Sequence, residues 1–353
     1  MRDVLIVGGY GEVGRRVAAH LLRDSELRVT IAGRTLEKAA ALASQLGPRA
    51  FPLRLDSDEL MSVREALRAN PLVINCVDLG KFHLISESIQ RGLTLLDATA
   101  SYSYWQRVFS SKTHAETQGA RILLGAGLIP GVTNVMAKAA SDALGGLTRL
   151  QTNTLLSMSN SHGEAAITYT LSEAGQTYRF PDAAQPERSF VKRKTVDFCG
   201  ATGRITAYRF PFPSQFFYRE TLGAEASSWL ALGPVWVGTL LSMLIRLGAQ
   251  PLLQTAWLRG FLHQMTPLLS KLPGGTPEFI VTVDAEGPTG RRRYRLEGRH
   301  VRQSEATALG IKAMLDQLET SSPPPGIWLP EQWVEPERFF ARLAQEGLSV
   351  SAE

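Results

Sequence analysis

The chain has 353 residues, 44% of them hydrophobic and 20% charged, with a formal net charge of +5. That length suits about two domains, and the composition excludes a disordered chain. The mild basic excess favours anionic small molecules over nucleic acid, because the densest basic run, Arg291-Arg292-Arg293, has no aromatic platform beside it and reads as a solvated strand or turn edge.

Strand and helix patterns alternate over residues 1–145. Val4-Leu5-Ile6-Val7 is a fully apolar strand, followed by a helix pattern over 12–23. A strand at 28–32, a helix at 36–46, a strand at 50–55 and a helix at 59–69 come next. Residues 72–77 form a fourth strand, 82–91 a helix stopped by Gly92, and 94–97 and 121–124 two further strands. Strands apolar on both faces and alternating with helices predict a doubly wound parallel sheet, the Rossmann type of α/β fold. Beyond Gly145-Gly146 the pattern changes to longer strand-like runs at 150–158, 166–171 and 279–285, which predicts an inserted α+β domain over 146–300 for substrate binding or dimerisation. Helices at 305–318 and 335–345 fall in a C-terminal segment, 301–353, expected to pack back on the first domain. The apolar stretch 229–262 holds Trp229, Trp236 and Trp257 but is broken by Gly233, Pro234, Gly238, Arg246, Gly248 and Pro251, too early for a membrane span. Buried helices, the wall of an apolar pocket or a homodimer contact are favoured there over membrane contact.

The sharpest local signal is Gly8-Gly9-Tyr10-Gly11-Glu12-Val13-Gly14, in which Gly9, Gly11 and Gly14 satisfy G-x-G-x-x-G directly after a strand and at the opening of a helix. Gly9 permits the tight turn, Gly11 lets the backbone approach a pyrophosphate, and Gly14 lets helix and strand pack closely. The helix N-terminus then offers N–H groups to the anion. The second strand ends in Gly33-Arg34-Thr35 with no acid to bond a ribose 2′-hydroxyl. Arg34, helped by Thr35 and Lys38, suits a 2′-phosphate instead, which selects NADP over NAD. Asp56, at the end of the third strand, is either an adenine contact or a helix cap. Asn75 and Val77 end the fourth strand, near the expected nicotinamide.

Several segments resemble the NADP-binding domain of saccharopine dehydrogenase-like proteins: GGYGEVG, AGRTLEKAAALA, and LVINCVDLGKFHLISESIQRGLTLLDATASY with its Asp97 and Tyr102. ETQGARILLGAGLIPGVTNVMAKAA, with the turn Gly127-Leu128-Ile129-Pro130-Gly131, and the closing PPPGIWLPEQWVEPERFFARLAQEGL are similar to that family in the same chain order. The resemblance covers 1–145 well, 275–348 loosely and the middle in outline. It implies an oxidoreductase with an inserted substrate domain; established relatives act on amino-acid-derived imines or secondary amines.

Hydride transfer needs a held cofactor, an aligned small-molecule substrate and one proton donor or acceptor. Loops beyond the strand ends carry the candidates Lys81, His83, Asp97 and Tyr102, with Asp78 and Tyr104 nearby; Gly127, Pro130 and Gly131 are expected to line the nicotinamide pocket. His162 lies in a polar loop of the second domain. The two cysteines, Cys76 and Cys199, form no disulfide or metal pattern, and Cys76 in its apolar run reads as a small buried hydrophobe. No Tyr-x-x-x-Lys, P-loop, zinc-protease or G-x-S-x-G pattern occurs. The chain enters a strand without a leader pattern, so a cytoplasmic location is the default expectation. The competing reading is a non-catalytic NADPH-binding sensor or scaffold, with 229–262 as its apolar partner or membrane surface.

Overall fold

The structure, a computed structural model, describes residues 3–24, 26–70, 72–157, 164–250, 255, 278–299 and 301–353. His162, Pro251 and Trp257 lie outside the described residues. The chain divides into two compact units: Met1–Val135 with Ser304–Leu343, and Met136–Gln303 with Ala344–Glu353.

The first unit is built from β1 (Asp3–Val7), α1 (Gly14–Asp24), β2 (Arg28–Gly33), α2 (Leu36–Leu46), β3 (Ala50–Arg54), α3 (Leu60–Ala66), β4 (Leu72–Asn75), α4 (His83–Gln90) and β5 (Thr94–Asp97). Then come α5 (Tyr102–Phe109), α6 (Lys112–Gln118) and β6 (Arg121–Leu124), followed by α7 (Val132–Leu144), which begins in this unit. The sheet runs β3-β2-β1-β4-β5-β6 with every pair parallel, and a C-terminal strand (Gly326–Trp328) adds in parallel beside β6. Val4, Leu5 and Ile6 of the central strand are fully buried. That two-sided cover is why β1 reads as a continuous apolar run, and each such side chain contributes about 1.5–3 kcal/mol. The order reverses between β1 and β4, and a ligand crevice is expected beyond the carboxyl ends of strands at such a switch point.

The second unit holds β7 (Arg149–Ser157), α8 (Glu164–Glu173), a two-residue ladder β8 (Thr177–Tyr178) with β9 (Glu187–Arg188), β10 (Arg193–Asp197), β11 (Arg204–Arg209), α9 (Tyr218–Leu222), β12 (Glu225–Gly233), α10 (Val235–Arg246), β13 (Phe279–Gly287) and β14 (Gly290–Gly298). Its mixed sheet runs β10-β11-β12-β7-β13-β14 and ends on the C-terminal strand Val350–Ala352; β12 and β7 pair in parallel, the rest antiparallel. The run 166–171, expected as strand, lies inside α8 instead. A short apolar run carries no decisive period, so its β-branched residues do not settle its state. The described part of the apolar stretch that begins at Trp229 divides at Pro234, ending β12 before it and forming α10 after it. One face of α10 buries Gly238, Leu241 and Ile245, while Val235, Trp236, Leu240 and Met243 are exposed. Among the described residues no helix is long and apolar enough to cross a membrane.

Candidate functional site

The glycine loop joins β1 to α1 under tight steric control. The N–H groups of Gly8 and Gly9 both donate to the Ala32 carbonyl at 2.9 Å, tying the ends of β1 and β2 together. A Cβ on Gly14 would stand 2.3 Å from the Gly8 oxygen and 2.8 Å from Gly9 Cα, and one on Gly9 2.9 Å from Ile31 Cγ2. Only glycine therefore lets α1 start this close to the strand. Glu12 turns back onto its own helix and pairs with Arg15 at 2.5 Å, while the Val13 carbonyl accepts the Arg16 and Val17 N–H groups. The Glu12 and Val13 N–H groups, just ahead of α1, donate to no described residue, and with the positive end of the helix dipole they suit this cradle to an anion.

Tyr10 links the cradle to the end of β2. Its ring covers Gly33, where a Cβ would meet Tyr10 Cε1 at 2.4 Å, and its Oη accepts the Thr35 N–H at 3.1 Å. The turn it holds presents Arg34 and Lys38, both exposed and neither in an ion pair with a described residue. Two unneutralised cations beside a glycine cradle fit a dinucleotide that carries an extra phosphate. Asp56 follows β3 and closes a turn: its Oδ1 accepts the Asp58 N–H at 3.0 Å and its own N–H donates to Ser62 Oγ at 3.1 Å.

A buried polar network lies where β4, β5 and β6 end. Asn75 and Asp97 are cross-strand neighbours, both fully buried. Asn75 Nδ2 donates to Asp97 Oδ2 at 3.1 Å and to the Val77 carbonyl at 2.9 Å. The Thr99 N–H donates to Asp97 Oδ1 at 2.7 Å, and Tyr104 Oη donates to Asp97 Oδ2 at 2.7 Å. Burial pushes the Asp97 carboxyl above the usual carboxylate range, against the pull of these donors. Burial first, then Asp97, holds the Tyr104 phenol well above its ordinary value, so it stays protonated. Asp78 is raised too, by burial and by the Asp97 charge, and burial pushes the Cys76 thiol up to about 12. The Ala126 N–H bonds the Asp97 carbonyl at 2.9 Å, which brings the turn after β6 to the same place. In that turn the Gly127 N–H donates to the Pro130 carbonyl, and a Cβ on Gly131 would fall 1.8 Å from the Gly127 oxygen. Gly131 passes its N–H to Asn134 Oδ1, and Asn134 in turn holds the buried Glu331 carboxylate at 2.8 Å.

The other candidates sit apart from this network. Tyr102 opens α5 and its Oη accepts from Gln106 Nε2 at 2.8 Å. Lys81 is exposed and donates to the Asp58 carbonyl at 3.1 Å. His83 begins α4, and its ring makes no hydrogen bond with a described residue. The residue that reaches Asp97 is Tyr104, two positions after the tyrosine singled out in the sequence. Successive helical residues turn by about 100°, so Tyr102 and Tyr104 point to nearly opposite sides. Trp105 and Val108, both buried, mark the inward face, and Tyr104 borders it. The sequence signal available for this was the N-cap Ser101, whose Oγ accepts the Tyr104 N–H and sets the helix phase.

Residues 4–123 match the family model of the saccharopine dehydrogenase NADP binding domain. This part of the chain is similar to the NADP binding domain of saccharopine dehydrogenase. Similarity to a curated protein, the shikimate dehydrogenase (NADP(+)) of Methanosarcina acetivorans, is 29% identity over 99 residues, 26% of this chain. The matched stretch spans about a third of that relative, 35% of its length. Apo saccharopine dehydrogenase (L-Glu forming) from Saccharomyces cerevisiae superposes with a TM-score of 0.68 over 100% of this chain and 99% of its own, at 14% identity. That is a likeness of fold through both units. The matched span includes both the glycine cradle and the cationic turn after β2.

Proposed function

We propose that the protein is an NADP-dependent oxidoreductase acting on a small carbonyl or imine-type substrate, with Tyr104 and Asp97 handling the proton. The observation that carries this reading is the 2.7 Å bond between Tyr104 and a fully buried Asp97 at the strand ends of a unit similar to an NADP binding domain. The NADP(+)-dependent relative and the dehydrogenase fold support it.

When bound, the nicotinamide supplies or accepts a hydride. Arg34 and Lys38 would hold the 2′-phosphate and the cradle the pyrophosphate. Tyr104 is half-buried, and its oxygen rests on Asp97. In its protonated form, which burial favours, Asp97 can pass its proton to Tyr104 Oη as the phenol gives its own to a substrate oxygen or nitrogen. Asn75 and the Thr99 N–H fix the carboxyl during that exchange. In the reverse direction the same two groups take the proton up.

The test is NADPH consumption over a panel of imines, oxo acids and aldehydes. Wild type is expected to turn over at least one class. Tyr104→Phe should lower kcat by about 100-fold or more, the scale of one general acid, with NADPH Kd unchanged. Tight NADPH binding without turnover on any class would defeat the oxidoreductase reading, and undiminished kcat in Tyr104→Phe would remove Tyr104 from its role.

A further inference from the structure

The second unit carries a cavity of about 630 Å³ on one face of its mixed sheet, a volume in the range of small-molecule sites. Gln151, Lys194, Ser227, Trp229, Asp284 and Arg293 line it, drawn from five strands. Strand register assembles them: Ser227 lies beside Gln151, Gln151 beside Asp284, and Asp284 beside Arg293.

Lys194 is the unusual member. It is half-buried, its Nζ stands 4.3 Å above the Trp229 ring, and it donates to Gln151 Oε1. The carboxylates in its field are engaged with arginines. Arg293 grips Asp284 through Nε at 2.5 Å and Nη2 at 3.1 Å, and Asn153 adds a bond at 3.0 Å. Asp182 accepts from Nη1 and Nη2 of the fully buried Arg209. Arg209 stacks 4.4 Å from the Phe180 ring and lies 5.3 Å from the Trp229 ring, so a second cation shares the indole with Lys194. Burial and the Arg209 guanidinium hold the Lys194 amine down at about 8, against the pull of Asp284 and Asp182. A lysine lining a cavity, with a guanidinium beside it and no carboxylate of the described residues in a salt bridge with it, meets the conditions for a nucleophilic amine.

We propose that this cavity is a carbonyl-binding site in which Lys194 captures a small aldehyde or oxo acid as a Schiff base. This does not rest on the oxidoreductase reading. The Nζ lone pair forms the C–N bond to the carbonyl carbon as the C=O π bond breaks onto oxygen, one proton passes from nitrogen to that oxygen to give a carbinolamine, and the C–O bond then breaks as hydroxyl leaves with the second nitrogen proton as water, giving the imine. No oxidant or reductant takes part.

The wild-type protein tests it with glyoxylate as probe and cyanoborohydride to reduce the imine to a stable secondary amine, read by peptide mass at each lysine. At pH 7 about one amine in ten is neutral at Lys194, against about one in 2,500 for an ordinary lysine. The lower nucleophilicity that accompanies a lower pKa reduces this gain, leaving a net advantage of at least about tenfold. Lys194 is therefore expected to be alkylated at least about tenfold faster than the exposed Lys112, at a rate that saturates with glyoxylate. A rate within threefold of Lys112, or one that climbs linearly with glyoxylate, would overturn the proposal.

Discussion

Replacing Tyr104 with phenylalanine removes one oxygen and tests the buried network without any cofactor. The lost bond, 2.7 Å to Asp97 Oδ2, joins a phenol to a carboxyl group that is fully buried. A hydrogen bond to a charged acceptor contributes about 1.5–3 kcal/mol, a neutral one about 1 kcal/mol. In a unit of this size each kcal/mol moves the melting point by roughly 2–4 °C, so a fall of roughly 3–12 °C is expected near neutral pH. The pH dependence gives a second check. Asp97 has a folded-state pKa above its unfolded value, so the folded protein binds the extra proton and Asp97 favours folding below the unfolded value. That contribution is lost as pH rises through the folded value. Tyr104 is one of the donors that pull Asp97 down, and without it the carboxyl rises further and its ionised form costs more. The destabilisation should therefore be larger at pH 8 than at pH 4.5, read by differential scanning calorimetry at both. A variant that melts with wild type at pH 8, or loses more at pH 4.5, would show that no such bond to an ionisable Asp97 exists.

Two further substitutions test the cradle and the cationic turn. Gly14→Ala drives a Cβ into the Gly8 oxygen at 2.3 Å and into Gly9 Cα at 2.8 Å, both backbone atoms that cannot swing aside. It should cost about 1–3 kcal/mol and weaken NADPH at least tenfold by titration calorimetry, with the circular dichroism spectrum retained. Arg34→Glu replaces a cation at the end of β2 with an acid. NADPH affinity should fall by roughly 100-fold, the loss of a charge-assisted contact of about 1.5–3 kcal/mol, while NADH affinity holds or improves. Equal losses for the two cofactors would show that Arg34 does not read the 2′-phosphate.

What could be read from the sequence follows from the distance over which each feature is determined. The α/β alternation was legible because strands such as Val4–Val7 are buried on both faces and declare it residue by residue. The cradle was legible because its glycines, strand and helix lie within a dozen neighbouring residues. Asp97 could be singled out because a strand end is a local feature, but which tyrosine meets it depends on where α5 starts. That start rests on one capping bond from Tyr104 N–H to Ser101 Oγ. The mixed sheet was much less legible, since its central parallel pair joins Glu225 to Arg149 across a long intervening chain. Lys194 shows the consequence. In sequence it is one basic residue in Val191-Lys192-Arg193-Lys194, a pattern that reads as solvated surface. Only the register of β10, β11 and β12, which sets Lys194 against Ala207 and Arg209 against Trp229, puts two cations on one indole and turns a surface lysine into a candidate nucleophile.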